Sequence, residues 1–136
     1  MKVRDIMTER PASVRPQSTL REVLDLMQQL GCRHIPVLDT ENHLIGIISD
    51  RDCRLAMNSP YLLGKQWQND DLTNKLLARM IMIPSPVVIS PDANVVEAAK
   101  LMLTWQISCL PVMQGETLVG ILTRSDILMT YTDSTD

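Results

Sequence analysis

The chain contains a copy of itself. Gly46-Ile47-Ile48-Ser49-Asp50-Arg51-Asp52 returns as Gly120-Ile121-Leu122-Thr123-Arg124-Ser125-Asp126, with glycine, two branched aliphatics, a hydroxyl residue and an aspartate in the same order. The likeness extends well beyond the heptad. An offset of 75 carries Arg79 onto Arg4, Ile81 onto Ile6, Met82 onto Met7, Pro86 onto Pro11 and Pro91 onto Pro16. The same offset carries Glu97 onto Glu22, Leu101 onto Leu26, Met102 onto Met27, Pro111 onto Pro36 and Val112 onto Val37. One residue is lost in a turn, after which an offset of 74 carries Leu118 onto Leu44, Gly120 onto Gly46 and Asp126 onto Asp52. A single slip placed in a turn is what duplication predicts. The fold must therefore accommodate two equivalent halves, residues 1–57 and 75–136, joined by a connector over 58–74.

Within the first half, Val3 to Met7 reads as a short helical turn that packs Ile6 and Met7 inward and ends by Pro11. Residues 12–15 are long enough only for an edge strand or an extended segment. Ser18 or Thr19 caps a helix, and Glu22, three residues after Thr19, completes a capping box. Leu20, Val23, Leu24, Met27 and Leu30 recur at helical spacing and form one apolar stripe, which Gly31 stops. Residues 33–38 read as a strand whose proline confines it to an edge, or makes it begin at Ile35. Leu44 to Ile48 is an unbroken apolar run, as expected of a strand buried on both faces. Ser49 then opens a helix carrying Leu55 and Met57.

The connector departs from the repeat. Tyr61, Leu62, Leu63 and Trp67 form an apolar cluster, either packed on its own domain or presented to a second subunit. Asn69, Asp70 and Asp71 start a helix that holds Leu72, Leu76, Leu77 and Met80. Residues 132–136 are polar and acidic, and are expected to fray.

Composition excludes several kinds of function. Lys and Arg number 13 against 16 Asp and Glu, with no basic run, which argues against recognition of nucleic acid or a membrane surface by bulk charge. Phenylalanine is absent and nine methionines are present, so the core is aliphatic and adaptable. Cys32, Cys53 and Cys109 are odd in number and too dispersed for a zinc set, so no metal site is expected. The opening residues are charged and lack an apolar stretch, and no run approaches a membrane span. The expected compartment is a reducing cytoplasm.

Each heptad delivers an apolar strand into the first turn of a helix. Ser49 with Asp52, and Thr123 with Asp126, are capping boxes by spacing, each worth about 1 kcal/mol with no ligand. The same corner suits a ligand. Free N–H groups at a helix start favour a phosphate, and ligands of α/β folds sit beyond the carboxyl ends of strands. Both copies use aspartate where a cap accepts glutamate equally well, and a short carboxylate can accept bonds from two ribose hydroxyls. Arg51 and Arg124 stand in the first turns, offset by one position. The helix dipole disfavours cations there, which mildly favours an anionic partner.

These residues resemble a tandem pair of cystathionine-beta-synthase (CBS) domains. The resemblance rests on Ile35-Pro36-Val37 followed by residues 44–52, on Leu110-Pro111-Val112 followed by residues 118–126, and on the opening Val3-Arg4-Asp5-Ile6-Met7. It implies an α/β (α+β) fold of two repeats, each a small three-stranded sheet with flanking helices, related by a pseudo-twofold axis. It also implies adenine nucleotide or adenosyl ligands (AMP, ADP, ATP or S-adenosylmethionine) in clefts between the repeats, and a homodimer. Carried onto this chain, Asp52 and Asp126 would hold ribose, while Ser49, Thr123 and the following amides would meet phosphate. Adenine would lie among Val14, Ile35 and Pro36 in one cleft and Ile89, Leu110 and Pro111 in the other. Arg33 and His34 are candidates for basic phosphate contacts. Their counterparts Ser108 and Cys109 bring no charge, so the two clefts are expected to differ. Which motif's cleft receives Arg33 stays open.

The function this implies is a regulatory module that senses an adenylate between its repeats and modulates an unidentified effector protein. The competing reading is a structural or oligomerisation module with vestigial clefts. No base and nucleophile pair, metal cluster or phosphate-binding glycine loop with lysine is present in the sequence, so no catalytic residue is assigned and an enzyme is not expected.

Overall fold

The computed structural model describes residues 1–58 and 73–132. The apolar cluster at Tyr61 to Trp67 and the tail at 133–136 lie outside the described residues. Twelve elements are described. They are α1 (Val3–Ile6), β1 (Thr8–Glu9), α2 (Leu20–Leu30), β2 (His34–Leu38), β3 (Leu44–Ser49), α3 (Asp50–Met57), α4 (Ala78–Ile81), β4 (Ile83–Pro84), α5 (Val95–Trp105), β5 (Cys109–Gln114), β6 (Thr117–Thr123) and α6 (Arg124–Thr132).

The chain forms two compact units whose limits differ from those of the sequence repeats. One unit is Ala12–Ser85; the other joins Met1–Pro11 to Pro86–Asp136. Each contains one three-stranded antiparallel sheet, β2-β3-β4 in the first and β5-β6-β1 in the second. The third strand of each sheet is only two residues long, and sequence reading missed both. Thr8 pairs with Ile121 and Glu9 with Gly120, while Ile83 pairs with Ile47 and Pro84 with Gly46. Two residues are too few to show a period of two, so no pattern marks them as strand.

The central strands need their glycines. A Cβ on Gly46 would collide with the Met82 thioether and lie 3.1 Å from the Ile83 carbonyl oxygen. A Cβ on Gly120 would collide with Met7 and lie 3.0 Å from the Thr8 carbonyl oxygen. Each third strand is thus clamped onto its sheet by a methionine seated on a bare Cα. Ile45 and Ile47 remain partly exposed while Gly46 and Ile48 are buried, so β3 is covered less completely than a doubly buried strand.

β2 lies at a sheet edge, where Pro36 is tolerated. Its outer side is met by Val14, whose N–H donates to the Pro36 carbonyl (3.0 Å) and whose carbonyl accepts from Leu38 N–H (2.9 Å). Ile89 makes the equivalent contact on β5, bonding the Pro111 carbonyl at 3.1 Å.

Helix α2 begins as expected at Thr19, whose hydroxyl accepts the Glu22 N–H at 3.2 Å, and ends at Gly31 with φ 64°. Among the described residues the reciprocal bond from the Thr19 amide to Glu22 is not made, so the capping box is half closed. Leu20, Val23 and Met27 are buried, but Leu30, in the last turn at the rim of the stripe, is 55% exposed. The helix expected to run through Met80 is interrupted. Residues 73–75 are helical, but Leu77 is extended (φ −107°, ψ 153°) before α4 starts. The interruption has a local cause. The Leu76 carbonyl accepts Leu20 N–H at 2.8 Å, and Ala78 N–H donates to the Ser18 carbonyl at 2.7 Å, so the backbone is drawn straight to cover the start of α2. The other unit does the same with Met1 to Val3 and the start of α5, through Val95 N–H to the Met1 carbonyl (3.0 Å) and Val3 N–H to the Ala93 carbonyl (2.9 Å).

Each unit has its own aliphatic core. Leu20, Val23, Ile35, Val37, Ile48 and Leu76 fill the first; Val3, Ala98, Leu110, Val112 and Leu122 fill the second.

Candidate functional site

The two strand-to-helix corners are built by the same bonds. At the end of β3, Ser49 N–H donates to Asp52 Oδ2 (2.9 Å) and Asp52 N–H donates to Ser49 Oγ (3.1 Å). At the end of β6, Thr123 N–H donates to Asp126 Oδ2 (2.8 Å) and Asp126 N–H donates to Thr123 Oγ1 (3.2 Å). The first helical amide is also taken alike. Asp50 N–H reaches the Arg33 carbonyl at 2.9 Å, and Arg124 N–H the Ser108 carbonyl at 2.8 Å. In each carboxylate one oxygen closes the cap, and the other has no hydrogen bond among the described residues. Cap and open acceptor therefore coexist in one side chain.

The hairpins place His34 opposite Ser49 and Cys109 opposite Thr123. Arg33 is exposed and His34 partly buried. Burial lowers the His34 pKa; Asp50 and Asp52 oppose this and Arg33 assists it. Its ordinary value is 6.5, so His34 is mainly neutral at pH 7 and offers a hydrogen bond rather than a cation. Cys109 is buried, and burial with a smaller effect of Asp126 pushes its thiol up to about 12. Cys53, buried beside Asp52, is pushed up to about 11 by burial first and then by the neighbouring carboxylates. Both thiols stay protonated and behave as small apolar groups.

The residues expected around adenine sit deeper than the corners. Ile35 and Leu110 have no accessible surface, and Val14 and Ile89 retain 8% and 7%. Pro36 and Pro111 are buried as well. Arg51 and Arg124 are exposed in the first turns. A surface hollow of about 300 Å³ on the second unit is lined by Met7, Glu9, Arg10, Leu118 and Val119, and contains none of the predicted residues.

Asp50, a residue to which sequence reading assigns no role, distinguishes the corners. Its Oδ1 accepts the Arg51 N–H at 2.8 Å and its Oδ2 accepts from Arg54 at 3.0 Å. The equivalent position holds Arg124, and the next amide, that of Ser125, has no hydrogen-bond acceptor among the described residues. Aligning the heptads position by position would have exposed this exchange of charge.

Among the described residues no group of three or more His, Cys, Asp or Glu could hold a metal, and no helix is long and apolar enough to cross a membrane.

Comparison with known proteins gives a consistent result. The CBS domain model matches residues 3–59 and again 78–133. A CBS domain-containing protein of Dictyostelium discoideum is 37% identical over 130 residues, covering 93% of this chain and 88% of its own length. The crystal structure of AcuB from Vibrio cholerae superposes with a TM-score of 0.80 at 32% identity, over 98% of this chain and 91% of that one. CBSX2 of Arabidopsis thaliana, solved in complex with AMP, gives a TM-score of 0.78 at 28% identity, with 96% of each chain covered.

Proposed function

The chain belongs to the CBS domain family, and from that premise we propose that it is an adenine-nucleotide or adenosyl-ligand binding regulatory module that modulates a partner protein. Its two repeats, 1–57 and 75–136, are joined by the 58–74 connector. Asp52 and Asp126 hold the ribose hydroxyls. Ser49, Thr123 and the first-turn amides meet the 5′ group, with Arg33, His34, Arg51 and Arg124 as the neighbouring donors. Val14, Ile35, Pro36, Ile89, Leu110 and Pro111 form the apolar walls behind the base.

One observation carries this reading: each aspartate closes its own helix cap with one oxygen and keeps the other open. A cap alone would leave that second oxygen to water; at both corners it stands as an acceptor that ribose hydroxyls can take. The AMP complex of CBSX2, 28% identical, supports the choice of ligand class. Ligand binding shifts a conformational equilibrium only by its difference in affinity for the two states, so the partner must sense a change in the packing around these corners. Exposed apolar residues on α5 and α6, among them Leu103 (80%), Trp105 (59%) and Tyr131 (76%), support self-association as a homodimer. Three free cysteines suit a reducing cytoplasm.

The competing reading, a ligand-free structural module, draws on the absence of accessible surface at Ile35 and Leu110. Mass spectrometry of small molecules released from denatured purified protein separates the two. Recovery of a stoichiometric adenylate supports sensing. Protein that carries none, and gives no thermal shift with AMP, ADP, ATP or S-adenosylmethionine, supports the structural module.

A further inference from the structure

The corners share every capping bond but differ in charge at the first helical residue. In α3 that residue is Asp50, which spends one oxygen on the Arg51 amide and the other on Arg54. Burial works to raise its pKa, but the Arg54 bond and charge, the Arg51 amide and the charge of Arg33 together lower it, so it is ionised at neutral pH. In α6 the residue is Arg124, and the Ser125 amide is open. The anion-binding donors of the first corner are therefore already engaged by an internal carboxylate, while those of the second are not. Arg33 makes no side-chain bond to Asp50 among the described residues: the ion pair of Asp50 is with Arg54, and Arg33 is the smallest of the effects that lower its pKa.

Resting on the reading above, we propose that Asp50 is a specificity residue. It directs ligands with an uncharged or cationic 5′ substituent to the Ser49–Asp52 corner and 5′-phosphorylated ligands to the Thr123–Asp126 corner. A phosphate at the first corner meets a like charge on the amide it needs, and like charges held close disfavour each other. An adenosine, or an adenosyl group ending in a thioether or sulfonium, meets no such opposition.

Amide NMR of the wild-type chain with adenosine and with AMP tests this without any variant. AMP is expected to move the Ser125 amide well beyond the shift that adenosine causes, and to leave Arg51 where adenosine leaves it. Equal AMP-specific shifts at both amides would overturn the proposal. Calorimetry gives a second arm. In Asp126→Asn, which keeps a cap acceptor, AMP should bind no more tightly than adenosine, and adding Asp50→Ala should raise AMP affinity at least tenfold while adenosine moves far less. A tenfold preference for AMP with Asp50 intact, or no gain on removing it, would overturn the proposal while leaving the sensing function in place. A wild-type chain that binds neither adenosine nor AMP would remove the function and this inference together.

Discussion

Thr123 and Asp126 bond each other twice, amide to carboxylate at 2.8 Å and amide to hydroxyl at 3.2 Å, and Ser49 and Asp52 repeat the arrangement at 2.9 and 3.1 Å. This reciprocity makes a substitution at either aspartate a stability experiment and a binding experiment at once. Asp126→Ala should lower stability by about 1 kcal/mol through the lost cap. Asp126→Asn should retain much of that stability, because its amide oxygen still accepts the Thr123 N–H. Both should weaken adenosine binding at that corner. Urea denaturation and calorimetry on the two variants separate the cap from the ligand contact.

The methionine–glycine clamps predict a coupled pair. Gly46→Ala places a methyl group against Met82 and the Ile83 carbonyl, and should destabilise by about 1–3 kcal/mol through overpacking. Met82→Ala in the same chain makes room for the side-chain half of that collision, so the double variant should be more stable than the sum of the single changes. A double-mutant cycle measures this, and strict additivity would show that the thioether does not clamp the strand.

Core and surface leucines should respond very differently although both belong to apolar runs in the sequence. Leu110→Ala removes a side chain with no accessible surface and should cost about 2–5 kcal/mol. Leu30→Ala removes one that is 55% exposed and should stay within about 0.5 kcal/mol.

His34 gives the protein a pH dependence. Its pKa is lowered in the fold from the ordinary 6.5, chiefly by burial, so the native state favours the neutral ring. The stabilisation is complete above pH 6.5 and is lost as pH falls from there through the folded pKa. Asp50, lowered from 3.8 by Arg54 against the effect of burial, acts in a separate window below about pH 4. Denaturation midpoints between pH 7 and 5 should fall in the wild-type chain, and fall less in His34→Gln.

Much of this architecture could be read from the residues, and what could not has physical causes. The duplication, the hairpins, the Ser49 and Thr123 caps and the αL stop at Gly31 follow from local chemistry that acts within a few positions. The two-residue strands β1 and β4 do not, because they are held by a sheet partner distant in sequence and by a methionine on a glycine. The break at Leu76 and Leu77 was equally hidden: helical spacing continues through it, and only the start of α2 explains why the backbone straightens. Leu30 obeyed the period but lay at its rim. At the site, the caps closed by the two aspartates were legible, whereas the opposition of Asp50 to Arg124 required seeing which amide each side chain leaves open.

The central claim is tested most directly by isothermal titration of AMP into protein stripped of any bound nucleotide, beside the Asp52→Asn/Asp126→Asn double variant. The account predicts saturable heat in the wild-type chain and its loss in a double variant that remains folded. A wild-type chain without heat, or a double variant that binds AMP as tightly as the wild type, would contradict it.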